Sequence, residues 1–181
     1  MELEVVFRNS RHLQSDIEKL RLGVSSVTKP AYAKLTTAQE LYDTLVTDKE
    51  LRKATNNLFK DGYYARAVEE AYKCLNNIIK TKSGCASDGS DLMNQVFSEK
   101  NPMLKLNNLK TKSEKDEQVG YMQIFGGCMT GIRNPRAHEH QKVDSPEVAL
   151  ELLVWANHLM RTVDNAKRTK RHRKQSPAST P

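Results

Sequence analysis

The stretch YYARAVEEAYKCLNNIIK, residues 63–80, decides the fold class. Ala65, Val68, Ala71, Tyr72, Leu75, Ile78 and Ile79 recur at three- and four-residue steps, so a helix of 3.6 residues per turn gathers them on one face. Arg66, Glu69, Glu70, Lys73, Asn76 and Asn77 fall on the other face. Ser83-Gly84 stops the helix, since glycine takes the left-handed conformation a helix end favours.

Working outward, the same period repeats. On the N-terminal side, Thr36 or Thr37 can cap a helix to about Val46, and Asp48 a second one through Leu58 and Phe59, ended by Asp61-Gly62. On the C-terminal side, a short helix carries Leu92, Met93, Val96 and Phe97, and Asn101-Pro102 closes it. Ser113 is expected to open the next helix, with acids from Glu114 to Glu117 over its positive first turn. That helix continues through residues 119–132, 14 residues without a charge, so burial on most sides is expected. Gly126, Gly127 and Gly131 interrupt it, each costing about 1 kcal/mol against alanine. Close packing within the fold is one explanation, and a seam with a second chain is the other. Ser145-Pro146 opens a last helix to about Lys167, with Val148, Ala149, Leu152, Leu153, Ala156, Leu159, Met160 and Val163 on its apolar face.

The pattern is all-α, a bundle of four to six helices over residues 36–166. Residues 1–35 mix a short alternating run (Leu3, Val5, Phe7) with helical spacing (Leu13, Ile17, Leu20) and are read as an N-terminal arm. Residues 167–181 are read as a basic, disordered tail whose first residues continue the helix register.

Charge supports that division. Of 181 residues, 29 are Lys or Arg and 22 Asp or Glu, a net +7. Six of those cations lie in KRTKRHRK, residues 167–174, and without them the balance is 23 against 22. A near-neutral domain thus carries a cationic tail, and contact with a polyanion is the expected use of Lys167, Arg168, Lys170, Arg171, Arg173 and Lys174. Mean hydropathy is −0.68. No apolar stretch reaches the length of about 20 that spans a bilayer, and no signal-peptide core appears, so a cytoplasmic setting is expected. Cys74, Cys85 and Cys128 lack metal-ligand spacing, and neither metal nor cofactor is expected. GxGxxG, Walker, HExxH and GxSxG patterns are absent.

The chemistry-bearing stretch is RNPRAHEH, residues 133–140. A charge-free helix ends in an arginine, a proline is expected to bend the chain, and a histidine follows. On an unbroken helix, residues five apart point about 140° from each other. The bend at Pro135 would instead bring Arg133 and His138 to one pocket, and the spacing fits His140 as well. Histidine can take a proton from a ribose 2′-hydroxyl and return one to a leaving 5′-oxygen. Arginine forks onto phosphate oxygens. The competing expectation is structural, with Arg133 paired to a carboxylate or a helix end.

RNPRAHEH resembles the Arg-(four to six residues)-His motif of the HEPN superfamily, with polar Asn134 after the arginine. More closely, the chain is similar to the Ymh-type family of small bacterial, Abi-like proteins. LFKDGYYARAVEEAYKCLNN (58–77), DGSDLMNQVFS (88–98), LNNL (106–109), SEKDEQVGYMQIFGGCMTGIRNPRAHE (113–139) and SPEVALELLVWANHLMRTVDNA (145–166) carry the likeness. The resemblance implies a HEPN-like helical bundle, often a homodimer with the two motifs facing each other. It implies metal-independent endoribonuclease activity leaving a 2′,3′-cyclic phosphate, with Arg133 and His138 catalytic and Asn134 orienting or touching phosphate. Arg136 and His140 would bind substrate beside them. RNA would be the partner, with an antitoxin or another defence-system protein, in abortive infection, antiviral defence or a toxin–antitoxin pair. A non-catalytic RNA- or protein-binding module of the same fold is the alternative.

Overall fold

The computed structural model describes residues 37–139 and 141–169. The expected arm over residues 1–35, His140 and the tail cations from Lys170 onward lie outside the described residues.

The domain is an all-α bundle. Helix α1 spans Ala38–Leu45, α2 Lys49–Lys60, α3 Tyr64–Ser83, α4 Gly89–Val96, α5 Lys112–Gly127 and α6 Pro146–Asn165. Local chemistry sets most ends. Thr37 and Glu40 form a reciprocal cap on α1, Asp48 caps α2, and Ser145 caps α6 with Pro146 in the first turn. Gly84 ends α3 at φ +72°, a conformation that costs other residues a Cβ clash.

Helix α3 is the axis. It packs on α2 along one side and on α6 along the other, while α4 packs on α5. Ala67, Val68, Ala71, Tyr72, Leu75 and Ile79 are fully buried along it. The expected polar face is narrower than the pattern implied, because Glu69 and Asn76 are buried too. Glu69 is satisfied by Arg66 at 2.8 Å and Lys73 at 2.6 Å, so its charge does not stay unpaired. Ring stacking joins the layers: Tyr42 on Phe59 with centroids 4.9 Å apart, and Phe97 on Phe125 at 4.7 Å. Buried Asn157 of α6 accepts the N–H groups of Thr47 and Asp48, fixing the α1–α2 corner. Buried Gln118 of α5 donates to Phe97 O and Leu104 O and accepts from Leu106 N–H, fixing the segment between α4 and α5.

Four expectations are corrected. Helix α5 opens at Thr111, not Ser113, because Glu114 reaches back to complete a capping box. Its charge-free length is not buried on most sides: Phe125, Cys128 and Met129 are buried, while Gln123, Ile124, Gly127, Thr130 and Gly131 are exposed. Close packing within the fold does not explain two of its three glycines, since a Cβ on Gly127 or Gly131 would meet nothing within 4 Å, while one on Gly126 would touch Asn94 Oδ1 at an ordinary 3.9 Å. Finally, α6 stops at Asn165 and the chain does not stay helical. Lys167–Arg168 (β2) pairs antiparallel with Leu104–Lys105 (β1), and Thr169 donates to Met103 O and Pro102 O. Ala166 takes extended backbone angles, so the next residues gain ladder partners that a longer helix would not give them.

Candidate active site around residues 133 to 138

Proline at position 135 poses a local problem. Its ring would strike the carbonyl of Gly131 in a regular α-helix, and it lacks the N–H that would bond there. The chain solves this by widening. Cys128–Arg133 is a π-helical turn continuing α5, and the Asn134 N–H reaches back five residues to Met129 O. Asn134–His138 then returns to α-helical geometry for one more turn. Arg133 (φ −69°, ψ −52°) and Asn134 (φ −61°, ψ −43°) are both right-handed helical. The expected proline bend is therefore not formed, because the wide turn absorbs the proline without reversing the chain.

That geometry sorts the motif side chains. Asn134 and His138 are four residues apart on one helical turn and share a face. His138 is exposed and Asn134 half-buried, and neither side chain has a hydrogen-bond partner among the described residues. Arg133 turns toward the head of α4, where Nη1 lies 3.9 Å from the place a Cβ on Gly89 would occupy. Its Nε is shielded from solvent and has no acceptor among the described residues. The carboxyl nearby, Asp88, is pulled below its ordinary range. Burial opposes this, but the Asn76 amide, the Gly89 N–H and the charges of Lys80 and Arg133 outweigh it.

Arg136, expected to contact substrate, is bonded inside the protein instead. Nε and Nη2 fork onto the two oxygens of Asp144 at 2.6 and 2.8 Å, and Nη1 donates to Ile132 O at 2.9 Å. The two side chains are 7% and 4% exposed. The pair ties the end of the motif turn to the residue before the α6 cap, so Arg136 holds the turn in place.

Two expected tail contacts, and several further side chains of note, lie elsewhere in the domain. Lys167 and Arg168 are exposed on β2, and the Arg168 guanidinium lies over Gly84, where it faces the negative end of α3. Tyr64 packs edge-on against Phe59 while Tyr63 is 63% exposed. His158 lies between Tyr121 and Trp155, with Nε2 2.9 Å from the Tyr121 hydroxyl. An open groove of about 640 Å³ runs between α2 and α3, floored by Ala54, Cys74 and Ile78 and away from the motif. Burial first, then the acids Asp48, Glu50 and Glu70, push the Cys74 thiol up to about 11, so it is no ready nucleophile.

Sequence reasoning missed Asp144, Asp88 and Asn76. Asp144 is eight residues from Arg136 across a loop, and Asn76 and Asp88 lie on opposite sides of the α3–α4 turn, so no periodic signal links them.

No helix among the described residues is long and apolar enough to cross a membrane. Among the described residues, no group of three or more His, Cys, Asp or Glu side chains is placed to hold a metal ion. No curated protein and no solved structure matches the chain. One family does match, described as "Protein of unknown function (Hypoth_ymh)", over residues 46–163. That span takes in α2 through nearly all of α6, with the π turn and the motif inside it, and on it the chain belongs to the Hypoth_ymh family.

Proposed function

We propose that the chain is a HEPN-like, metal-independent endoribonuclease acting as a homodimer. One observation carries the reading. A proline-containing turn is wound and braced so that the side chains of Arg133, Asn134 and His138 make no hydrogen bond among the described residues, while neighbouring Arg136 is fully engaged. In this reading a His138 imidazole takes the 2′-hydroxyl proton as the 2′-oxygen attacks phosphorus. The P–O5′ bond then breaks, the 5′-oxygen takes a proton back from the His138 imidazolium, and a 2′,3′-cyclic phosphate remains. Arg133 offsets the charge that builds on the phosphorane, and Asn134 orients a phosphate oxygen.

The second copy is supported by the uncharged face of α5. Gly120 and Gly127, with Gly131 of the π turn, leave open space there, and Ile124 and, on α6, Trp155 are 36% and 37% exposed. Covering that face with its equal would bury apolar surface and bring two motif turns together. The tail cations Lys170, Arg171, Arg173 and Lys174 would collect RNA without sequence preference. The family resemblance supports a cytoplasmic role in phage defence or a toxin–antitoxin pair, with an antitoxin or other defence-system protein as partner.

Labelled single-stranded RNA incubated with the protein in EDTA tests this beside Arg133→Ala and His138→Ala. Cleavage by the parent chain with loss in both variants is expected. Equal cleavage in both would refute the assignment. A non-catalytic RNA- or protein-binding module is the second reading. It is favoured by the divergence of Arg133 and His138 within one chain, and salt-sensitive binding without cleavage would select it.

A further inference from the structure

Asp88 caps α4, and a cap needs one oxygen on one backbone N–H. Here more is built. Asp88 Oδ1 accepts the Gly89 N–H at 2.9 Å and the Asn76 amide at 2.5 Å. Asn76, buried on α3, also accepts the Gly89 N–H on its own Oδ1 at 3.0 Å. Two side chains from different elements share a donor and bond to each other, so the carboxylate is fixed in direction.

Arg133 lies near it, with Nη1 3.9 Å from the place a Cβ on Gly89 would occupy, and it forms no ion pair with Asp88 within 4 Å. A guanidinium at the head of a helix faces the positive end of the macrodipole, which is unfavourable. Its shielded Nε, left without an acceptor, adds a further cost. A fixed anion next to Gly89 offsets the first of these. Because Arg133 makes no hydrogen bond among the described residues, its charge is attracted without its donors being used up.

We infer that Asp88, held by Asn76, is a positioning residue that draws the Arg133 guanidinium to the head of α4 and leaves its outer N–H groups free for a phosphate. The phosphate half of this rests on the ribonuclease reading, while the Asp88–Arg133 relation does not.

Asparagine and serine cap helices about as well as aspartate. Asp88→Asn and Asp88→Ser therefore remove the charge and keep the cap. With labelled single-stranded RNA of mixed sequence, both should lower kcat about tenfold, as small misplacements of a catalytic group do, with KM changed less than about threefold. Asp88→Glu should recover part of the loss. Both neutral variants cleaving within twofold of the parent, while Arg133→Ala cleaves nothing, would reduce Asp88 to a cap and overturn the inference. A second measurement needs no activity. The Arg133 Nε–H resonance, identified by its loss in Arg133→Lys, should shift and exchange faster in Asp88→Asn in a nitrogen-15 spectrum. An unmoved resonance overturns the inference. A parent chain that cleaves no RNA sinks the ribonuclease reading, and the spectrum still decides what Asp88 does to Arg133.

Discussion

Replacing Arg136 with alanine separates its structural role from substrate binding. At 7% and 4% exposure, Arg136 and Asp144 are both nearly out of water, and their fork is short at 2.6 and 2.8 Å. Alanine would leave the Asp144 carboxylate buried and unpaired, at a cost of about 3–5 kcal/mol. It would also remove the donor on Ile132 O beside the π turn, a lesser loss of about 1 kcal/mol. Urea unfolding followed by circular dichroism reads the total, and a cycle with Asp144→Ala isolates the coupling. The double variant should be less destabilised than the sum of the singles, since no buried charge is left alone. Arg136→Lys keeps the charge but not the fork, and should fall between parent and alanine. Salt should matter little, because screening acts weakly on a buried pair. A cost below about 1 kcal/mol, the range of exposed ion pairs, would refute the structural role. So would an Arg136→Ala protein of unchanged stability that binds RNA more weakly, for then the sequence expectation of a substrate contact would be right.

Thr111→Ala removes the hydroxyl that accepts the Glu114 N–H and should cost about 1 kcal/mol in urea unfolding, with Thr111→Ser near neutral. Equal stability of the alanine variant would argue against the capping box. A thiol raised to about 11 is thiolate roughly a hundredfold less often than an unperturbed one, so Cys74 should resist iodoacetamide at pH 7.5 and react once the chain is unfolded. Peptide mapping that finds native Cys74 labelled as fast as unfolded would contradict its burial. Because folding lowers the Asp88 carboxyl, its stabilisation is full above the ordinary aspartate range and lost as pH falls through the lower folded value. Below about pH 4 the parent should therefore lose stability more steeply than Asp88→Asn, and parallel acid-unfolding curves would count against it.

Much of the fold is written in period and punctuation. Residues 63–80 repeat apolar groups every three or four positions, and Thr37, Asp48, Gly84 and Ser145 mark ends where they are found. The motif was legible as residue types, since an arginine, an asparagine and a histidine beside a proline stand out after a charge-free helix. Its geometry was not. Proline removes a bond and adds a clash, and a bend or a widened turn can each relieve them. Which occurs depends on what packs around Cys128 and Met129, both buried. Asn76 likewise reads as an outer-face polar residue until Asp88 and Gly89 are brought over it.

The sequence by itself determined the all-α class, most helix ends, the near-neutral domain with its cationic tail, and the chemistry available near residue 133, because these follow from local propensity and counting. Only the tertiary structure decided that Arg136 belongs to Asp144, that Arg133 turns to α4 while His138 faces out, and that the described residues leave a glycine-lined face of α5 uncovered. Each of those depends on partners distant along the chain, whose pairing is fixed by burial and not by spacing.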